Sequence, residues 1–258
     1  MTTAPVMPVP AATLMLLRDG PTGLEVLMAA RHDASGFAAG ATVFPGGKLD
    51  AGDRDLLSAS AGGGIDERAL ALRIAAIRET FEECGLLLAR ATPGDTMLSH
   101  AAVVALGEAH ADAHGFGALV MAARLQLATD LLVPFAHWIT PEDRPKRFDT
   151  HFFLAPAPAD QVAKHDGHEA VETRWITPQD AVAAADQGRL KLVVATRMNL
   201  LKLGRAKSVA AAIEAAQSSK VVTVEPRLVE TSTGPAFSIP AAADYGVTEM
   251  PVGKTARA

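Results

Sequence analysis

The chain has 258 residues, 49% of them hydrophobic, enough to bury a substantial core in one large domain or two small ones. A formal net charge of −5 supplies no basic face for a nucleic-acid backbone, and the single cysteine, Cys84, excludes an internal disulfide and a cysteine-rich zinc site. No apolar stretch is long and unbroken enough to span a membrane, so the expectation is a cytoplasmic globular protein in a reducing compartment.

Residues 1–10 are rich in Pro and Ala and read as a loose leader. Thr13–Leu17 and Leu24–Ala29 read as the strands of a hairpin turned at Asp19-Gly20-Pro21. The hairpin leads into Val43-Phe44-Pro45-Gly46-Gly47-Lys48-Leu49-Asp50, where adjacent glycines let the backbone turn sharply or approach a ligand closely. Ala59–Gly64 reads as an exposed loop, and Asp66–Cys84 as a long helix stopped by Gly85. Ala89–Leu132, rich in Ala, Leu and His with little strand character, reads as a helical insertion. Strand patterns return at Phe135–Ile139, His151–Leu154 and Glu172–Ile176, followed by helical Pro178–Gln187 and Arg197–Gln217. After Lys220 an alternating strand, Val221–Val224, precedes a Pro- and Gly-punctuated tail, an appended hairpin or arm. This is an α/β arrangement, with one domain over 11–220 and a C-terminal strand and extended tail over 221–258.

The long helix carries the chemistry. At 100° per residue with Arg78 at zero, Glu82 falls at about 40°, Glu79 at about 100° and Glu83 at about 140°. Ile74, Ile77, Phe81 and Cys84 form an apolar stripe on the other side. The helix is thus expected to anchor by one side and to expose an acidic face on the other. Carboxylates this close repel unless a positive charge joins them, and a hard divalent cation such as magnesium suits oxygen ligands of this kind. Arg78 can hold one of the carboxylates through its fork of donors. Taken alone, Arg-Glu-x-x-Glu-Glu is more simply a solvated helix face with a few ion pairs.

The neighbouring residues change that balance. Arg78-Glu79-Thr80-Phe81-Glu82-Glu83-Cys84-Gly85-Leu86, preceded by Gly47-Lys48-Leu49-Asp50-Ala51-Gly52-Asp53, resembles the Nudix box. Thr80 stands where that box usually has an aliphatic residue, and Asp53 where it usually has Glu. The 24 residues from Arg54 to Ile77 exceed the usual spacing, and the surplus is assigned to the Gly62-Gly63-Gly64 loop. The resemblance implies the Nudix fold, a mixed β-sheet between helices, and hydrolysis of a diphosphate linkage with Mg2+ (or Mn2+). It implies Glu79, Glu82, Glu83 and the Gly47 carbonyl at the metal, with Arg78 supporting them. The base that takes a proton from water is then Glu79, or an acid before the Trp175 strand, Glu169 or Glu172. His137, His151 and His168 show no ligand spacing and read as ordinary surface or packed histidines.

Upstream, Arg31 and the run Gly36-Phe37-Ala38-Ala39-Gly40-Ala41-Thr42-Val43-Phe44-Pro45-Gly46-Gly47 resemble the coenzyme A diphosphatase signature, with Gly36 where that signature carries a second arginine. Arg147-Phe148-Asp149-Thr150-His151-Phe152-Phe153 and the long gap in the box are similar to the peroxisomal-type branch of that group. What this resemblance implies is a small nucleotide substrate, coenzyme A or an acyl derivative, with Arg31 and Arg147 on adenosine or phosphate and Phe44 or Phe152 against the base. Both phenylalanines read equally as core strand residues. The insertion at 89–132 is the element expected to cover the pantetheine arm. A broad ADP-ribose, NADH or dinucleotide diphosphatase is the runner-up, and a non-catalytic nucleotide-sensing module ranks below it because all three box glutamates are present. Neither nucleic acid nor membrane is expected as a partner, and a homodimer is compatible with the sequence.

Overall fold

The computed structural model describes residues 6–32, 39–110 and 115–251. Gly36 and Phe37 of the upstream motif lie outside them. The chain opens with β1 (Val9–Gly20) and β2 (Gly23–Arg31), then the short β3 (Thr42–Val43) and β4 (Gly46–Lys48). Helices α1 (Ala51–Asp55) and α2 (Glu67–Cys84) follow, and the segment after them holds β5 (Ala89–Ala91), α3 (His100–His110), α4 (Gly115–Ala122) and β6 (Leu125–Leu127). Next come β7 (Val133–Ile139), β8 (Phe148–Pro156), β9 (Ala170–Ile176), α5 (Pro178–Asp186), α6 (Val194–Leu203) and α7 (Val209–Gln217). The described chain finishes with β10 (Thr223–Val224), β11 (Arg227–Thr231), β12 (Gly234–Ser238) and β13 (Glu249–Pro251).

A mixed eight-stranded sheet runs β10-β7-β8-β1-β2-β3, with β4 paired to β1 and β9 to β2. Strand β1 pairs parallel with β8 and antiparallel with β2 and β4. Period-two alternation sends its side chains to two cores. Leu14 and Leu16 pack with α2 and the 89–132 segment, whereas Met15 and Leu17 pack with α5, α6 and α7. Because both faces are covered, β1 reads as an unbroken apolar run, Leu14-Met15-Leu16-Leu17, each at most 1% exposed. The result is an α/β sandwich of helices around a sheet.

Several expectations shift. β1 starts at Val9 rather than Thr13, because Val9 and Pro10 pair with Phe148 and Asp149 and so belong to the sheet. The expected helix over 197–217 is two helices, broken after Gly204 and restarted where the Ser208 side chain caps the Ala211 amide. Residues 89–132 contain two helices but also an antiparallel β5–β6 pair. The tail folds back as a three-stranded antiparallel sheet, β11-β12-β13. Among the described residues no helix is long and apolar enough to cross a membrane.

Candidate active site

Helix α2 begins where Asp66 caps the Ala69 amide and ends at Gly85, which takes the left-handed conformation (φ 66°) that glycine adopts without strain. Its last two turns lie beside the glycine pair of β4. Gly46 has φ 155°, and a Cβ there would sit 2.4 Å from the Ala12 carbonyl oxygen on β1. A Cβ on Gly47 would fall 2.4 Å from the Glu79 carboxylate. Backbone excludes a side chain at Gly46, and one at Gly47 would displace the Glu79 carboxylate, so the β4 backbone lies against the acids: the Gly46 N–H donates to Glu83 Oε2 at 3.1 Å.

Arg78 organises the cluster. Its Nη1 donates to Glu79 Oε1 (2.8 Å) and Glu82 Oε2 (2.9 Å), and its Nη2 to the Lys48 carbonyl (2.9 Å). Its Nε and Nη2 grip Asp53 at 2.8 and 3.1 Å, and Asp53 is fully buried and also accepts the Asp50 N–H in a capping box. The long gap between the halves of the motif is therefore closed in space. The extra residues go into α1, a turn of 3₁₀ helix at Leu57–Ala59, the loop that follows and the first turns of α2. Asp53 holds the arginine that positions the glutamates. Thr80 fits an aliphatic position because it is fully buried and its hydroxyl donates to the Ala76 carbonyl.

The acidic face is less exposed than the helical wheel suggests. Only Glu82, at 46%, stands out in solvent, while the Glu83 side chain is 5% exposed. The cause is the loop after β8, whose Lys164 and Asp166 amides donate to the Cys84 and Glu83 carbonyls and close over the end of α2. Burial, with like charge from Glu79 and Glu169, pushes the Glu83 carboxyl up to about 8 despite the Gly46 hydrogen bond and Arg31. Burial also raises Glu79 and Glu82, against the opposing pull of Arg78, and Glu169 adds to both shifts. Arg31 approaches Glu83 at only 3.8 Å, and its buried Nε has no hydrogen-bond partner. Partly buried acids in excess of their cations, around a backbone cradle, fit a hard divalent ion held by oxygen ligands.

The cluster opens on a cavity of about 1130 Å³. Gly46, Gly47, Arg78, Glu79 and Glu169 form its acidic end with Arg31 beside them, and Arg144, Lys191 and Arg197 supply cations elsewhere in the lining. Phe44 and Phe152 line it while belonging to the core beneath. Trp138, Pro226 and Phe237 complete an apolar wall that the sequence did not reveal, since its parts come from β7 and the tail.

Two expected site residues lie elsewhere. Glu172 is 53% exposed and paired with Arg174 at 2.5 Å, and it does not line the cavity, whereas Glu169, in the preceding loop, lines it beside the acids. Arg147 is 6% exposed and donates to the Thr140 carbonyl, the Val6 carbonyl and Glu225, so it is a latch between chain segments, not a phosphate ligand. The 89–132 segment also departs from expectation. None of its described residues lines the cavity, because its apolar side chains, Phe116 and Leu119 among them, pack on the α2 face of the sheet. His137 and His151, read as ordinary, converge on Asp149. His168 does not join them.

A family model described as the NUDT19 Nudix domain matches residues 58–196. The acyl-coenzyme A diphosphatases NUDT19 of Gallus gallus and Xenopus laevis are 30% identical over 218 residues and 25% identical over 204, covering 63% and 61% of this chain and 56% and 54% of theirs. The chain thus spans little more than half the length of these curated relatives. A crystal structure of a NUDIX hydrolase from Alicyclobacillus acidocaldarius superposes with a TM-score of 0.69 at 30% identity, over 84% of this chain and 98% of that one.

Proposed function

Because this chain belongs to the NUDT19 Nudix domain family, we propose that it is a divalent-metal-dependent hydrolase that cleaves the diphosphate linkage of coenzyme A or an acyl-coenzyme A. The observation that carries the reading is the junction of the acidic cluster, over its double-glycine cradle, with a cavity of about 1130 Å³. Pockets for drug-sized ligands run to roughly 1,000 Å³, so this one has room for a nucleotide and a long arm. Its cations, Arg31, Arg144, Lys191 and Arg197, suit a substrate bearing a further phosphate beyond the diphosphate. The NUDT19 relatives are named for acyl-coenzyme A, which agrees with this size and charge.

Glu79, Glu82 and Glu83, with the Gly47 carbonyl, would hold Mg2+ or Mn2+. When bound, such an ion neutralises diphosphate charge and makes water a stronger nucleophile. The protein's own groups do the rest. Asp53 fixes Arg78, Arg78 fixes the Glu79 and Glu82 carboxylates, and Gly46 fixes Glu83. Glu169, on the cavity wall beside these acids, takes the proton as the water oxygen attacks phosphorus. The P–O–P bridge then breaks on the far side of that phosphorus. From coenzyme A the products are phosphopantetheine and adenosine 3′,5′-bisphosphate.

The test is mass spectrometry of products from coenzyme A, an acyl-coenzyme A, ADP-ribose, NADH and a dinucleotide, each with Mg2+ and with the wild type or Glu83→Gln. The expected result is preferred turnover of the coenzyme A compounds, lost in the variant. Equal or faster turnover of ADP-ribose or the dinucleotide overturns the substrate assignment. Cleavage unaffected by Glu83→Gln, or no cleavage of any anhydride, overturns the chemistry.

A further inference from the structure

The opposite face of the sheet carries a second cluster of ligating groups. The β7–β8 register sets His137 directly across from His151, with Asp149 two residues earlier on the same face of β8. Their neighbours Trp138, Thr150 and Phe152 line the cleft, so alternation points these three away from it. His137 Nε2 is hydrogen-bonded to Asp149 Oδ1, and His151 Nε2 lies 3.6 Å from the same oxygen. The two imidazoles stack at 4.1 Å between centroids, and one ligand atom from each of the three residues falls within 4.8 Å of the others.

From this geometry we propose that His137, Asp149 and His151 form a second metal site, separate from the acidic helix, for a zinc-type divalent cation. Two imidazoles and one carboxylate are the donors that late first-row divalent ions prefer, whereas magnesium selects oxygen. With metal–ligand bonds of about 2.0–2.2 Å, tetrahedral ligands sit about 3.3–3.6 Å apart. The His151–Asp149 separation already matches, and the His137–Asp149 hydrogen bond opens as the ion enters. Supporting contacts are in place. Thr223 Oγ1 lies 2.8 Å from His137 Nδ1 and can accept its proton, which leaves Nε2 free to ligate. Arg68 Nη2 donates to Asp149 Oδ2 at 2.8 Å and turns Oδ1 toward the imidazoles. The side chains of His137, Asp149 and His151 are 17%, 15% and 30% exposed, so an ion can enter from solvent and keep a water as its fourth ligand. A bound ion would fasten β7, β8 and, through Thr223, β10, and through Arg68 the start of α2.

The experiment is equilibrium dialysis of the full chain against Zn2+ in excess Mg2+, with metal content measured by mass spectrometry and visible spectra recorded after loading with Co2+. The wild type and Glu83→Gln should each retain one zinc and show the intense bands of tetrahedral cobalt. His137→Ala and His151→Asn should lose both, while Thr223→Val weakens binding by about tenfold. Circular dichroism confirms that each variant is folded, and Zn2+ should raise the unfolding temperature of the wild type and of Glu83→Gln but not of the two histidine variants. No retained zinc in the wild type, or zinc retained equally in both histidine variants, overturns the site. Zinc lost in Glu83→Gln but kept in the histidine variants assigns the ion to the acidic helix and overturns it too.

Discussion

The two ends of the cleft are built differently. At the acidic end Arg78, Glu79, Glu82 and Glu83 come from two adjoining turns of one helix, each braced by a named hydrogen bond. At the other end Trp138, Arg144, Lys191, Arg197 and Phe237 arrive from β7, the β7–β8 turn, the α5–α6 loop, α6 and β12. The first arrangement fixes charges where bonds break, and the second surrounds whatever the bond is attached to. Damage to the first should therefore appear in kcat, and damage to the second in KM.

The largest expected effect is that of Glu83→Gln. It keeps the volume of a buried side chain but removes a charge beside the cradle, so kcat should fall by about 10³-fold while KM changes by less than about threefold. A raised KM with unchanged kcat would erase the distinction between the two ends. Next is the base: Glu169→Gln should lower kcat by about 10²-fold, whereas Glu172→Gln, exposed and paired with Arg174, should match the wild type. Asp53→Asn should cost about tenfold in kcat, and combining it with Arg78→Lys should cost little more than either alone, since both loosen one brace. Steady-state kinetics on the five single variants and that double variant check all of these.

The same contrast explains what could be read before folding. Glu79, Glu82, Glu83 and Arg78 are contiguous, so helical periodicity alone gathers them on one face, and the glycine pair announces a close backbone approach. The bounds of α2 and the β1–β2 hairpin follow equally from local pattern. Glu172 and Glu169 could not be separated, because that needs the point at which β9 begins. Arg147 carried the same charge as a phosphate ligand, and only the fold shows it locked to Val6, Thr140 and Glu225. His137 lies across a strand register that no local pattern encodes, and Phe237 reaches the cleft through a tail whose return path is a tertiary fact. Asp53 is the opposite case: it stands 25 positions from Arg78 in the chain, and the two meet because the intervening residues fold away.

Smaller effects should mark the recognition end. Lys191→Ala and Arg197→Ala should each raise KM for coenzyme A by about three- to tenfold and leave kcat within about twofold. For a substrate without the additional phosphate the same variants should change KM less. Phe237→Ala, which removes apolar wall contributed by β12, should follow the same pattern with acyl-coenzyme A. A drop in kcat from any of these three would show that the distant wall also sets the reacting geometry.

The smallest effect sharpens the acidic end through stability. In chelator, the Glu83 carboxyl is protonated up to about 8 in the folded chain, whereas in the unfolded chain it returns to the ordinary carboxylate range. Between those limits the native state binds more protons than the unfolded state, so stability contributed at low pH is lost as pH rises through that window. The metal-free wild type should therefore lose unfolding temperature between pH 5.5 and 8.5 relative to Glu83→Gln, each ~1 kcal/mol of linkage moving the midpoint by about 2–4 °C. Mg2+ should abolish the difference, because the ion takes the place of the proton, and its apparent affinity should rise over the same interval. Calorimetric unfolding of both proteins, with and without Mg2+, measures this directly. A wild-type curve parallel to that of the variant would mean that Glu83 is charged in the metal-free fold, and that Gly46 and Arg31 outweigh its burial.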